Sequence, residues 1–455
     1  MSGGVAFLTL FFGLTAGPQR VAVAVAGSAA AVELRLDGRE VARLVAPRWE
    51  ARVDFGEELA PRRLEAVAFD AAGAELGRAT QRVNVPRSLA DVELLVERAA
   101  DGRPVAVRVS AQNVTGGPPL ALSVTLDGKP LQLRGGRAEL PPLDLEAAHV
   151  VSAEAQFAPL LVAHRDLVFG GRYGYEAAAE LTAVPVRWPP GEPLPAAPGW
   201  QGWLEAGGAA AVVAAVESGP AEALMVRDVS TAEARRQLGT TARRILSPGA
   251  GTTVDPNYLR FELRLGKADT ARLVFPRVRT ITTTPVPTHL FDGSQAFGWR
   301  DGGLLWILTQ ISGRPGEGPP RYADAVAVAG LQAAAGNRRR AVVYAVGAGA
   351  DASLYEPAVV RRYLDTMRVP LHVWSLVGAD HAAVTPWQDA VEVSDLSGLR
   401  RAVAALRRDL DTQKIVWIEG SWTPAEVRLT AAAPPGLTLV GAAAAPPAPA
   451  APPSR

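Results

Sequence analysis

Over its first 170 or so residues the chain alternates apolar and polar positions with a period of two, the pattern of half-buried strands. In VELRLDGREVARL, residues Val32, Leu34 and Leu36 share one face, and Asp37-Gly38 offers the two positive-φ positions that a tight hairpin turn requires. The same phrase returns as SVTLDGKPLQL, with Val124 and Leu126 ahead of Asp127-Gly128. RLEAVAFD (Leu64 to Phe69) and VSAEAQF (Ser152 to Phe157) recur at nearly the same offset. Two matching features at one spacing predict a tandem repeat of small all-β, immunoglobulin-like sandwiches, at 19–88 and 89–172. With no cysteine in the chain, each must be held by packed Val, Leu and Phe alone.

A segment at 173–199, ending in the Pro-rich WPPGEPLPAAPG, reads as a linker, and beyond it the period changes. Apolar runs at Ala209–Glu217 and Glu222–Val229 read as strands. Ser230, three residues before Glu233, then makes a capping box for a helix through about Leu246, with Ala234, Leu238, Ala242 and Ile245 on one face. Helical spacing recurs at Tyr322, Val326, Ala329 and Ala333, and RRAVVYAV follows as a buried strand. A helix over Glu356–Met367 has Pro357 in its first turn, where a missing N–H is harmless. PLHVWSL is the next strand. In SDLSGLRRAVAALRRDL, Leu399, Val403, Leu406 and Leu410 form a buried stripe, with Arg400, Arg401, Arg407 and Arg408 on a solvated face. KIVWIEG reads as the last strand of the same sheet. Alternating strands and helices predict a parallel sheet covered on both faces, an α/β doubly wound domain over 200–440.

Composition narrows the function. The 455 residues carry 47 Lys and Arg against 46 Asp and Glu without long runs, which argues against a nucleic-acid-tracking surface. The absence of cysteine removes disulfides, thiolate zinc sites and thiol nucleophiles. The apolar run Val5–Ala16 is too short to span a bilayer as a helix and reads, within a segment 1–18, as an export leader, the other readings being a truncated start or a buried first strand. An Ala/Pro-rich tail at 441–455 offers nothing to dock. The five histidines form no HExxH pattern, and neither a GxSxG elbow nor a Walker loop is present. Gly347-Ala348-Gly349-Ala350-Asp351-Ala352 mimics a dinucleotide turn but lacks the acidic residue that should end the next strand. Of the ten tryptophans, Trp200, Trp203, Trp387 and Trp422 fall in loops and are candidates for recognition, Trp387 most of all because it follows a strand end. Trp299, Trp306, Trp374 and Trp417 are expected in the core.

The strand ending in Asp228-Val229-Ser230, the ADAVAVAGLQAA helix, RRAVVYAV, and DLSGLRRAVAALRRDLDTQKIVWIEGSW in that order resemble the von Willebrand factor type A fold, and more closely bacterial VWFA-related proteins. That resemblance implies a Mg²⁺ adhesion site built from an Asp-x-Ser-x-Ser loop, a Thr and a further Asp. Mapped here, the first loop is Asp228-Val229-Ser230-Thr231-Ala232, the threonine position falls near Pro320, and the third-loop aspartate near Gly347. Three of the positions offer no side-chain oxygen for a hard cation. The expectation is therefore a non-enzymatic, exported bacterial protein with a degenerate adhesion domain. It would bind a protein partner or serve as a scaffold, with no metal and no cofactor, and with Asp228, Ser230 and Trp387 as binding residues. The alternatives are an enzyme binding a small ligand or nucleotide at the Gly347 loop, and an Mg²⁺-dependent adhesion module with substituted ligands.

Overall fold

The computed structural model describes residues 5–9, 11, 14–25, 29–85, 90–113, 118–158, 161–173, 181–228, 263–281, 288–298, 304 and 318–441. Among these the chain is mainly β, 47% strand against 15% helix, so sheet packing sets the architecture.

The first sandwich sets a sheet of Val5–Phe7, Pro18–Val25 and Glu50–Asp54 against one ordered Arg39–Val45, Ala31–Leu36, Arg62–Phe69, Glu75–Val83. Alternate residues of both sheets, among them Val21, Val23, Val53, Leu34, Leu64 and Ala66, meet in its core. The hairpin predicted at Asp37-Gly38 is present, with φ of 51° and 81°. The apolar run that reads as an export leader takes part in this sandwich. Val5–Phe7 pairs with Val23–Val25, Phe11 packs edge-on against Phe55 at 5.1 Å, and the Thr15 N–H donates to Asn84 Oδ1.

The second sandwich pairs a sheet of Lys129–Pro130, Ala121–Leu126, Ala148–Ala158 and Leu161–Gly170 with one of Leu133–Arg134, Arg137–Glu139, Pro104–Asn113 and Ala90–Arg98. Asp127 and Gly128 again hold positive φ, 49° and 74°. Leu64–Phe69 and Ser152–Phe157, which the repeat aligns, each lie in the strand beside their sandwich's Asp-Gly hairpin.

A bridging sheet follows, antiparallel throughout and ordered Val213–Glu217, Gln413–Glu419, Leu181–Arg187, Thr438–Leu439. Its Val416 and Ile418 face a core with Trp188, Trp200 and Leu204, while Ile415 and Trp417 face Val150 and Val168 of the second sandwich. A small sheet of Ala209–Ala210, Leu204–Ala206 and Val427–Leu429 closes that core.

The last sheet has six strands in the order Thr288–Gly293, Thr270–Ile281, Ala221–Arg227, Arg339–Val346, Leu371–Ser375, Val391–Glu392, the first antiparallel to its neighbour and the rest parallel. The helix Leu396–Thr412 packs on one face through Leu399, Val403, Leu406 and Leu410. The helices Tyr322–Ala335 and Pro357–Thr366 pack on the other.

The expectation of a doubly wound α/β domain over 200–440 is corrected here. Ala209–Glu217 and KIVWIEG do not extend the parallel sheet. They pair antiparallel with each other, and KIVWIEG pairs with Leu181–Arg187 as well. A short apolar run satisfies a parallel and an antiparallel slot equally well, so its composition does not choose between them. The three α-helices among the described residues serve one sheet within a chain dominated by β-structure. The helix predicted after Ser230 and the tail from 442 lie outside the described residues. Among the described residues no helix is long and apolar enough to cross a membrane.

Candidate functional site

The carboxyl ends of the parallel strands are where open sheets admit ligands, and the sequence placed its candidates there. Asp228 follows Ala221–Arg227 and is 1% exposed. Its N–H donates to Ala345 O of the neighbouring strand at 2.9 Å. Its carboxylate accepts from the Tyr322 hydroxyl at 2.5 Å and from the Gly349 N–H at 2.6 Å. A charge removed from water must be compensated by such donors, and here they come from the protein.

The Gly347 loop is held by the same logic. The Asp351 carboxylate accepts from the N–H groups of Tyr322 and Ala323, at 2.8 and 3.1 Å, and Ser353 Oγ accepts from that of Asp324. Those are the free donors of the first turn of Tyr322–Ala335, the groups a helix start would otherwise offer to a phosphate. Asp324, 2% exposed, in turn accepts from the Leu354 and Tyr355 N–H groups and from Arg321. Three carboxylates from three segments thus stitch the loop over the strand tips. The Tyr344 hydroxyl beneath is driven well above its ordinary pKa by burial, with Asp351 and Asp228 adding to the effect.

Trp387 is 2% exposed, its ring edge-on to Tyr344 at 4.8 Å, so its indole belongs to the core beneath the strand tips instead of facing a partner. Ser230 lies outside the described residues. The structure therefore brings Asp228, Gly349 and Asp351 together as a closed network. Among the described residues no three His, Cys, Asp or Glu side chains gather as a metal-holding group.

A second constellation lies beside the bridging sheet. Trp188, Trp200 and Trp203 pack with centroids 5.2 to 6.2 Å apart, and Trp203 lies nearly parallel to Trp188, at 14°. Trp200 is wholly buried and its indole N–H donates to Pro195 O, which fixes the cluster from below. Trp203 is partly exposed. Its carbonyl accepts from the Thr430 N–H, and the Thr430 hydroxyl donates to Gly202 O, so the turn carrying it is tied to the strand end. Trp422, also partly exposed, lies over the backbones of Gly207 and Gly420, where an added Cβ would come within 2.5 and 2.6 Å of the ring. Its indole N–H donates to Glu419 O. Trp203 and Trp422 were legible as loop tryptophans. Trp188, which supplies the stacking partner, was missed because it sits at the edge of a proline-rich linker that promises no order.

No known protein-family model matches the chain, and no curated protein matches it. Similar solved structures include fibronectin(III)-like modules of Clostridium thermocellum CbhA, at 13% identity and a TM-score of 0.16, covering 17% of this chain and 92% of that one. They also include a beta-glycosidase from Bacteroides vulgatus, at 13% identity and a TM-score of 0.20, covering 37% of this chain and 25% of that one. A third is the central fibronectin-III array of RIM-binding protein, at 12% identity and a TM-score of 0.18, covering 45% of this chain and 78% of that one. Likenesses this slight carry no functional argument. In a mainly β chain with three α-helices among the described residues, the resemblance to VWFA-related proteins is not upheld. The adhesion-scaffold role that hung on it falls too.

Proposed function

We propose that this chain recognises a carbohydrate by stacking it on the tryptophan surface at Trp203 and Trp422, and that it does so without catalysis. The observation that carries the reading is Trp203 itself, a partly exposed indole held flat against Trp188 over a buried Trp200. A rigid aromatic face presents apolar area to the C–H side of a sugar ring at little entropic cost, while neighbouring polar groups serve the hydroxyls. Glu205, two residues beyond Trp203, and its register partner Arg428 are polar groups on the same small sheet. Trp203 precedes the strand Leu204–Ala206 and Trp422 covers Gly207 just beyond it, so the two anchoring points stand ~13 Å apart along an extended backbone. The proposal rests on these residues and not on the glycosidase named above.

The test is titration of the full chain with cellohexaose, chitohexaose and an oligogalacturonide, followed by tryptophan fluorescence and calorimetry. Binding of one of these is expected, weakened about tenfold or more in Trp203→Ala while the melting temperature stays within a few degrees. Absence of binding to all three at millimolar concentration overturns the proposal, as does an undiminished affinity in Trp203→Ala.

A further inference from the structure

The hairpin Ala148–Ala158/Leu161–Gly170 of the second sandwich turns one face to its own core and the other to the body of the molecule. On the outer face, register sets Val150 opposite Val168, Ser152 opposite Asp166, and Glu154 opposite His164. Only the first pair is apolar, and it packs on Ala214, Ala215, Ile415 and Trp417. The other two pairs form a buried polar seam.

At one end of the seam Glu154 meets Arg272 at 3.4 Å and also pairs with Arg338, while Arg272 pairs with Glu222 at 2.7 Å. In the middle, Asp166 accepts from Asn337 Nδ2 at 3.1 Å and pairs with His164 Nε2 at 2.8 Å. At the other end the Asp127-Gly128 turn rests on Gly219, so closely that a Cβ on Gly128 would lie 2.5 Å from the Gly219 Cα and 3.4 Å from a Glu217 carboxylate oxygen. Asp127 is itself held by His149 at 2.8 Å and by the Val150 N–H. The cationic groups Arg272 and Arg338 are thus committed to Glu154 and Glu222. Glu217, 9% exposed, is faced by Trp417, Asp166, Asp127 and His164. Among the described residues, His164 Nδ1 and Ser152 Oγ are buried without a hydrogen-bond partner, while the Trp417 indole faces Glu217 and favours its ionised form against the larger effect of burial.

We propose that this seam is a proton-gated joint, closed when Glu217 and His164 both carry their protons and loosened as they give them up. An ionised Glu217 would stand buried beside two other carboxylates, whereas a neutral one does not, and a protonated His164 pairs with Asp166 across the same gap.

The sign follows from both groups. Burial, reinforced by Asp166 and Asp127, pushes the Glu217 carboxyl up to about 7. Between its ordinary carboxylate range and that value the undocked form loses a proton that the docked form keeps, so docking weakens as pH rises through this window. Desolvation alone would lower His164, but Asp166, together with Glu217 while that group is ionised, outweighs it and the net shift is upward. Its contribution is complete below the ordinary histidine range and is lost as pH passes the raised value. A charged His164 in turn favours the ionised form of Glu217, so the two titrations are coupled, and it is chiefly the buried Glu217 that favours the closed joint in acid.

The experiment is hydrogen exchange of the full chain at pH 5.5 and 8.5, corrected for intrinsic rates, read in peptides covering Ala148–Ala158 and Val213–Glu217. Exchange about tenfold or more faster at the higher pH is expected in these peptides, with the Ala31–Leu36 strand unchanged as internal control. Glu217→Gln, neutral at every pH, is expected to abolish most of that difference. Should that variant fail to fold, His164→Asn, which removes a positive charge that favours ionised Glu217, is expected to shift the loosening to higher pH, and an unshifted profile overturns the proposal. Equal protection at both pH values overturns the proposal, and so does a Glu217→Gln chain that folds yet keeps the full pH difference.

Discussion

Gly38 and Gly128 occupy the same place in two hairpins, both at positive φ, yet they meet different surroundings. Nothing lies within 4 Å of a Cβ built on Gly38, whereas one on Gly128 strikes the backbone of Gly219 at 2.5 Å. Gly38→Ala is therefore expected to cost only the left-handed strain, about 1–2 kcal/mol. Gly128→Ala adds a clash that no side-chain rotation relieves, and its cost should exceed ~3 kcal/mol. Urea denaturation of the two variants measures the difference, and equal losses would show that the Asp127-Gly128 turn does not bear on the body. The turn itself could be read from Asp-Gly between alternating apolar residues. The neighbour could not, because Gly219 approaches through the fold and leaves no mark in the local sequence.

Two of the helices are fixed at their starts by side chains, one by its own and one by a side chain from elsewhere. Asp395 caps Leu396–Thr412 locally, accepting from the Gly398 N–H at 2.6 Å. Tyr322–Ala335 is capped from a distance by Asp351. Asp351→Ala is expected to cost about 1–2 kcal/mol and to free the Gly347 loop, seen as faster exchange of the Ser353 and Leu354 amides without loss of the sheet. The stripe Leu399, Val403, Leu406 and Leu410 is buried with Arg400, Arg401, Arg407 and Arg408 exposed, as helical spacing foretold. Ser152, Glu154 and Gln156 mislead by the same rule. Their alternation with Ala153 and Ala155 marks a solvated face, yet Gln156 is buried and Arg272 and Arg338 meet the Glu154 charge. Period-two patterning reports which side faces the strand's own core, and it is silent about what covers the other side. The strand tips show the same limit. Asp228 has the residue type and position of a metal ligand, but Tyr322 and Gly349, which engage it, come from remote segments.

At the scale of the whole molecule the bridging sheet decides how the parts depend on one another. Gln413–Glu419 lies between Val213–Glu217 and Leu181–Arg187, and it contributes to two cores through its two faces. A chain ending at Thr412 would strip the partner from both neighbours and uncover Val150 and Val168 on the second sandwich. Such a truncation is expected to bind a hydrophobic dye strongly and to lose the cooperative melt of the region beyond the sandwiches, while the first sandwich keeps its own transition. A single sharp melt with no dye binding would contradict the dependence described here.

Arg187 and Gln413 stand directly opposite one another in that sheet. The backbone leaves and returns through adjacent positions, ~5 Å apart. The interval between them is nonetheless tied to the rest of the chain, through Val213–Glu217 on Gln413–Glu419, Leu204–Ala206 on Val427–Leu429, and Arg272 and Arg338 on Glu154. An evolving genome that exchanged it would have to rebuild those contacts as well as this narrow doorway.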